Sequence, residues 1–290
     1  MKSKITILLS LMIVGLMFSC DNLNQNIESG DIDLVTIVDD EIVSLKSGEI
    51  GDEDVMPVTF GCNSSNFRFR MMNHRFDSDC LTVSSSGDDY PKEIIIDYGD
   101  GCEGRHGLVR TGKIIITMSD DILNEGAIHE VKYEDVTMGD RQIEMSKIKT
   151  NTGQNADGNW VIESSVEQTI TYEDGSTSAR NSTAASEWLS GFGTEDREDD
   201  MFMRTGSGTV VTSEGAEYTR DITTALLFDR SCLYIKSGVI ELNKDGSEVI
   251  IDFGDGECDQ WATVTTDGVS EIIDLSLRGR GMRGFRGKGR

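Results

Sequence analysis

Two short acidic runs mark where this chain has residues suited to chemistry. Asp97-Tyr98-Gly99-Asp100-Gly101 and Asp252-Phe253-Gly254-Asp255-Gly256-Glu257 each set carboxylates on a glycine-rich turn. Ca²⁺ takes about six to eight oxygen ligands, and carboxylates gathered on a tight turn are one way to supply them. Asp97, Asp100, Asp252 and Asp255 are therefore the candidate metal residues, and Ca²⁺ is the only cofactor they point to. The third loop position, an oxygen donor in EF-type loops, is glycine in both runs. Two carboxylates per turn fall short of a full shell unless backbone carbonyls, Asp77 or Asp229 contribute. The plainer alternative is that Asp97 and Asp252 end strands and accept hydrogen bonds from the amides of their own turns.

Other motifs carry less. Gly99-x-Gly101-x-x-Gly104 fits the dinucleotide fingerprint by letter, but that fingerprint works by opening a helix whose amides face a phosphate. Here Asp100 and Glu103 would repel phosphate, and Arg105-His106-Gly107 begins no helical period. The histidines are His74, His106 and His129, and none lies in an HExxH or beside a serine or cysteine nucleophile pattern; no GxSxG or Walker sequence occurs. The expectation is no catalytic residue, no cofactor-binding residue and no enzymatic activity. The 52 acidic residues read as solvated strand faces.

The elements that must position these residues begin with an export signal. Lys2 and Lys4 precede an apolar run from Ile5 to Phe18, followed by Ser19-Cys20-Asp21. That is the layout of a secretory signal, and the run is shorter than the roughly 20 residues of a membrane span. Leu16-Met17-Phe18-Ser19-Cys20 resembles a bacterial lipobox, which implies cleavage before Cys20 and acylation of that residue. Two or more acyl chains anchor a protein stably to a membrane. The leaflet, and the choice between outer membrane and periplasmic face, stay open.

Charge narrows the partners. The chain carries a net −25, with two lysines and no acid in 1–20 and six Arg/Lys and no acid in 278–290. The body between is more acidic still, which disfavours nucleic acid and anionic lipid surfaces as its partners. The Arg/Gly tail 278–290 suits an anionic glycolipid, a partner's acidic face or the protein's own body, or else a solvated tail with no partner.

An internal repeat organises the rest. Phe76-Asp77-Ser78-Asp79-Cys80-Leu81 followed by Glu93-Ile94-Ile95-Ile96-Asp97-Tyr98-Gly99-Asp100-Gly101-Cys102 matches Phe228-Asp229-Arg230-Ser231-Cys232-Leu233 followed by Glu248 to Cys258, about 155 residues on. The repeat suggests the pairings Cys80–Cys102 and Cys232–Cys258, as befits cysteines outside the cytosol. Each would close a loop worth roughly 3 kcal/mol in the loop-entropy model. Cys62 is left as a free thiol or an interchain bridge. No CxxC or His–Cys pair at ligand spacing favours zinc.

Apolar alternation at period two, as in Trp160–Tyr172, reads as half-buried strands. Tyr218–Phe228 keeps the same phase, broken only by Arg220. Asp-Gly pairs at 157–158, 174–175, 245–246 and 267–268 sit between such runs and predict type I′ turns. Helix is minor, with candidates at Asp33–Ser47 and Ala184–Ser190. Trp188, Leu189 and Phe192 either line a hydrophobic groove or pack a core.

The expected fold is all-β, an antiparallel meander or sandwich of two related units with an N-terminal tether and minor helix. The divisions are a lipoprotein signal peptide at 1–19, an acidic tether at 20–57 with one helix, β units at 58–195 and 196–277, and the basic tail 278–290, without order of its own.

The run Ile94-Ile95-Ile96-Asp97-Tyr98-Gly99-Asp100-Gly101-Cys102, then Arg110–Thr117, Asn181-Ser182-Thr183, Glu187-Trp188-Leu189 and Phe228–Asp259, resembles an uncharacterised family of secreted β-rich lipoproteins found in bacteria of the Bacteroidetes type. That resemblance covers most of 60–277 and implies a secreted β-rich protein, with no activity to carry over. Asp252-Phe253-Gly254-Asp255-Gly256 alone is similar to the motif of polycystic-kidney-disease-type β modules, with Ile in place of their preceding Trp. The expected function is a lipid-anchored cell-envelope protein with a non-catalytic binding or structural role, its membrane contact made through Cys20. A periplasmic carrier of an apolar ligand or lipoprotein, and a calcium-dependent adhesion or glycan-binding module, are the alternatives.

Overall fold

A computed structural model of the chain describes residues 36–47, 80–103, 108–194, 196, 198–244 and 246–276. The signal segment 1–19, Cys20, Cys62, His74, His106 and the tail 278–290 lie outside these residues, as does the tether 20–57 apart from 36–47.

The described strands are β1 (Thr82–Ser85), β2 (Lys92–Asp97), β3 (Cys102–Glu103), β4 (Val109–Met118), β5 (Ile128–Met138), β6 (Arg141–Gln154) and β7 (Trp160–Thr171). They continue as β8 (Thr177–Ser190), β9 (Met201–Val211), β10 (Glu217–Asp229), β11 (Ser237–Lys244), β12 (Ser247–Asp255), β13 (Trp261–Thr266) and β14 (Val269–Asp274). All join one antiparallel sheet in sequence order from β1 to β14, with the short β3 set aside on β4. Of the meander and the sandwich, the meander is what forms. β8 pairs with β9, so strands from both expected β units share this sheet.

One helix, α1 (residues 36–47), accompanies this sheet and falls inside the expected 33–47. Ser44 on α1 bonds to Gln168 on β7, and Lys46 on α1 donates to the carbonyl of Leu275, just past β14. Strands seven places apart lie roughly 33 Å from each other in a flat sheet, whereas α1 is only about 18 Å long. The sheet must therefore curl around the helix. Its bends have local causes. Register shifts interrupt the pairing of β4 with β5, β5 with β6, β9 with β10 and β10 with β11, and such bulges bend strands and increase their twist. Gly112 sits at the first of these, where a Cβ would lie 2.3 Å from the Asp135 carbonyl oxygen.

Alternation decides which side chains meet the helix. On β12 the pattern puts Val249, Ile251 and Phe253 inside, with Glu248 and Asp252 outside. Two apolar clusters result. One gathers Ile94, Ile96, Tyr98, Ile114, Ile116, Met138 and Ile143 with Val43 of α1. The other gathers Phe202, Leu226, Ile240, Leu242 and Ile251 with Ile37, Val38, Ile42 and Leu45 of α1. The helix belongs to both.

Both disulfides suggested by the repeat are present, Cys80–Cys102 with Cα atoms 5.1 Å apart and Cys232–Cys258 at 5.8 Å. They suggest a protein from outside the reducing cytosol. No helix among the described residues is long and apolar enough to cross a membrane.

Two expectations are corrected. Ala184–Ser190 is not helical but the second half of β8, where Ser186 and Trp188 are buried. The alanine-rich stretch favours helix locally, and pairing with β7 and β9 on either side overrides that preference. Of the Asp-Gly turns, only Asp267-Gly268 has positive φ at both residues, 50° and 79°. At 157–158 and 174–175 only the glycine is left-handed, following a bond from Gly158 N to Asn155 O or from Gly175 N to Tyr172 O. These are three-residue hairpin loops, in which a type I turn precedes the glycine. Asp245 lies outside the described residues.

His129 on β5 gives the fold a pH signature. Its ring is 2 % exposed, and Nε2 lies 2.9 Å from the Asp120 carbonyl, to which it donates. Burial draws its pKa from 6.5 down to about 4, against the bond to Asp120 and with help from the charge of Lys149. Between these values the unfolded chain binds the proton and the folded chain does not, so stability falls as pH drops from 6.5 towards 4. Relative to His129→Gln, the wild type loses about 3 kcal/mol between pH 7 and pH 4. Urea unfolding at several pH values checks this; a gap independent of pH would refute it.

Candidate functional site

The residues with the most unusual chemistry are those that α1 presses against the sheet. A 12-residue helix is marginal alone, so packing must hold α1 in place. Apolar residues at 37, 38, 42, 43 and 45 cover most of its surface, and Asp40, Glu41, Ser44 and Ser47 form a buried polar strip. Positions 40, 44 and 47 recur at helical spacing and so share one face.

Strands β7, β8 and β10 meet this strip. Gln168 and Arg180 are register partners on β7 and β8, and Arg220 stands on β10 opposite Gly208 of β9. A Cβ at Gly208 would lie 2.2 Å from the Asn181 carbonyl oxygen, so β8 and β9 approach closely only because no side chain intervenes.

The centre of the strip is Glu41, which is fully buried. Its Oε1 accepts from Arg220 Nε at 2.7 Å and lies 3.7 Å from Arg180 Nη1. Burial would raise the Glu41 carboxyl, but the two guanidinium charges outweigh it and hold the group below the usual carboxylate range. Burial also draws Arg180 down to about 10, against the pull of Glu41, and it keeps its charge at neutral pH. Arg180 Nη1 donates to Ser44 Oγ at 3.1 Å and its Nε to Ser182 Oγ at 3.2 Å. Ser44 Oγ donates to Gln168 Oε1 at 2.7 Å, and Gln168 Nε2 donates to Ser47 Oγ at 2.8 Å.

Asp40 makes a second anchor. It accepts from Tyr172 Oη at 2.5 Å and from the amide and hydroxyl of Ser213 at 2.7 and 3.0 Å. Burial and the Asp40 bond both raise the Tyr172 phenol, so it stays protonated and serves as the donor.

These titratable groups are engaged with one another beneath the helix. Among these described groups no base stands poised against a nucleophile, and Glu41 has no exposed surface. What the arrangement can do is hold a helix in one rotational setting. A turn of α1 by one residue, about 100°, would carry Glu41 away from both guanidiniums and leave buried charges unpaired.

The acidic turns are placed elsewhere. Asp97 Oδ1 accepts from Gly99 N at 2.8 Å, and Asp252 Oδ1 accepts from Gly254 N at 2.9 Å, the same local bond in both copies of the repeat. That bond is the chief cause holding the Asp97 carboxyl below its ordinary range, helped by Lys113, whose Nζ is 3.2 Å from Oδ2. Asp100 and Asp255 are exposed. Among the described residues no group of three or more His, Cys, Asp or Glu is gathered to hold a metal ion.

Trp188 is buried and stacks on Phe202 at 4.8 Å, while Phe192 stacks on Trp160 at 5.2 Å. Leu189 points outward at 39 % exposure. Of the two readings of this trio, core packing describes Trp188.

The residues that sequence reasoning missed are Glu41, Gln168, Arg180 and Arg220. Two had left a trace, since Gln168 and Arg220 occupy the inward phase of otherwise apolar strands.

Comparison with known proteins found no matching family model, no matching curated protein and no matching solved structure.

Removing the Glu41 charge strands two buried guanidiniums, and Glu41→Gln is expected to lower stability by about 3–5 kcal/mol. The pair Glu41→Leu with Arg220→Met is expected to cost clearly less than the sum of its single changes. A double-mutant cycle by urea unfolding measures this, and strict additivity would contradict a direct coupling.

Proposed function

We infer that the chain is an exported protein of the bacterial cell envelope, anchored through acylated Cys20, with a non-catalytic binding or structural role. The observation that carries this reading is the filled concave face. The side of the sheet that an enzyme would use for a pocket is occupied by α1, and its buried acids and bases neutralise each other there. The signal-like N-terminus, the lipobox and the two disulfides support the envelope location.

A second reading has one observation behind it. A curled sheet that already grips a helix against an apolar floor could exchange that helix for an apolar ligand or a lipoprotein segment, which makes the protein a periplasmic carrier. The adhesion reading through Ca²⁺ draws less support, because Asp97 and Asp252 each commit an oxygen to their own turns.

Cell fractionation tests the main reading. The wild type should sediment with membranes, resist high-salt extraction and dissolve in detergent, whereas Cys20→Ser should shift most of the protein to the soluble or uncleaved precursor pool. Soluble wild-type protein would overturn the anchored reading. Native mass spectrometry of detergent-free protein separates the two roles. The non-catalytic structural role predicts the mass of the Cys20-acylated chain alone, and stoichiometric lipid held without a covalent link would favour the carrier.

A further inference from the structure

The sheet ends differently at its two edges. β1 at one end has four residues, and Thr82, Ser84 and Ser85 on it are exposed and polar. β14 at the other end has six residues and, among the described residues, pairs only with β13. The four most exposed large apolar side chains of the described residues are Ile272 at 73 %, Val269 at 67 %, Leu233 at 66 % and Trp261 at 48 %, and three of them belong to the β13–β14 hairpin. An edge with no second partner strand among the described residues and with exposed apolar side chains is a template for another strand.

We propose that β14 is a dimerisation edge, pairing antiparallel with β14 of a second copy of this chain around Ile272. A two-fold axis normal to the sheet preserves its faces, so residues directly opposite must share parity, and the register is centred on a residue. Centring on Glu271 or Asp274 sets like charges against each other, which is destabilising. Centring on Ile272 sets Ile272 against its own copy, Ser270 against Asp274, Glu271 against Ile273 and Val269 against Leu275. No like charges meet, and the most exposed apolar side chain is covered.

Charge also favours this occupant. β14 carries Glu271 and Asp274 and no cation, and the six cations of 278–290 lie just beyond it in sequence, so two copies have charges of opposite sign to offer each other. The same segment is a poor candidate to cover the edge itself, since five of the fourteen residues 277–290 are glycine and glycine weakens strands. Pairing β14 with β1 of another copy would build an open chain rather than a closed dimer.

The test uses the chain with Cys20→Ser and Cys62→Ser, recovered from an oxidising compartment so that both native disulfides form. Sedimentation is expected to show a dimer at micromolar concentration, and Ile272→Lys a folded monomer with an unchanged circular-dichroism spectrum and a melting temperature that no longer rises with protein concentration. Opposed residues in an antiparallel pair have Cα atoms about 4.5–5.5 Å apart, within disulfide range. Ile272→Cys should thus give about tenfold more covalent dimer under mild oxidation than Ser270→Cys, whose copies stand roughly 13 Å apart. Ser270→Cys combined with Asp274→Cys should restore cross-linking. A monomeric parent chain, a dimer indifferent to Ile272→Lys, or equal cross-linking at 270 and 272 would each overturn the proposal.

Discussion

The structure depends on a carboxylate buried between two guanidiniums. Glu41 has no exposed surface, and such a charge persists in a protein interior only when it is paired and hydrogen-bonded. Its partners stand on strands β8 and β10, which the meander alone would leave on one face of an open sheet. Satisfying Glu41 therefore requires that face to turn inward over α1, and the bulges along β4 to β11 provide the curvature. Apolar burial supplies the larger share of the driving force, but it is indifferent to how α1 is rotated. The ion pair, with Asp40 and Ser44 beside it, selects one setting among many of similar greasiness.

The sheet is local and the helix is not. Every ladder among the described residues joins strands close in sequence, whereas α1 bonds to residues 121 to 229 positions away. Loop closure over such a span costs entropy before any contact is made. The sheet can assemble hairpin by hairpin without α1, and α1 cannot form its polar contacts until β7 to β10 are in place. The two disulfides close much shorter loops, at a separation of 22 residues near one end of the sheet and 26 near the other, and pin the segments flanking β2 and β12. Nothing covalent fixes the middle strands, and that is where the helix packs.

Strands were legible because their signal is local. Trp160, Ile162, Val166 and Ile170 share one phase of their strand while the other phase is polar apart from Val161, and any sheet that buries one face imposes that period. The disulfides were legible for a different reason: two copies of one unit reveal which cysteines keep the same place in it. The position of α1 could be read from its composition, but its burial could not. Asp39, Asp40 and Glu41 in a row suggest a solvated helix, and the arginines that neutralise Glu41 lie far along the chain with no periodic link to it. Arg220 interrupts an apolar phase and Gln168 sits in the same phase of its strand, and these interruptions were the only trace of the network. Ala184–Ser190 failed in the opposite direction, since local helical preference lost to pairing with two neighbours.

Hydrogen exchange of the native protein tests the central claim directly, because it measures whether α1 is part of the cooperative core or a loosely docked addition. The account predicts that the amides of Glu41 to Leu45 exchange only with global unfolding, as slowly as those in the middle of β8 and β10. Rapid exchange in α1 while those strands stay protected would contradict it, because a helix that opens alone cannot be what the sheet is curled around.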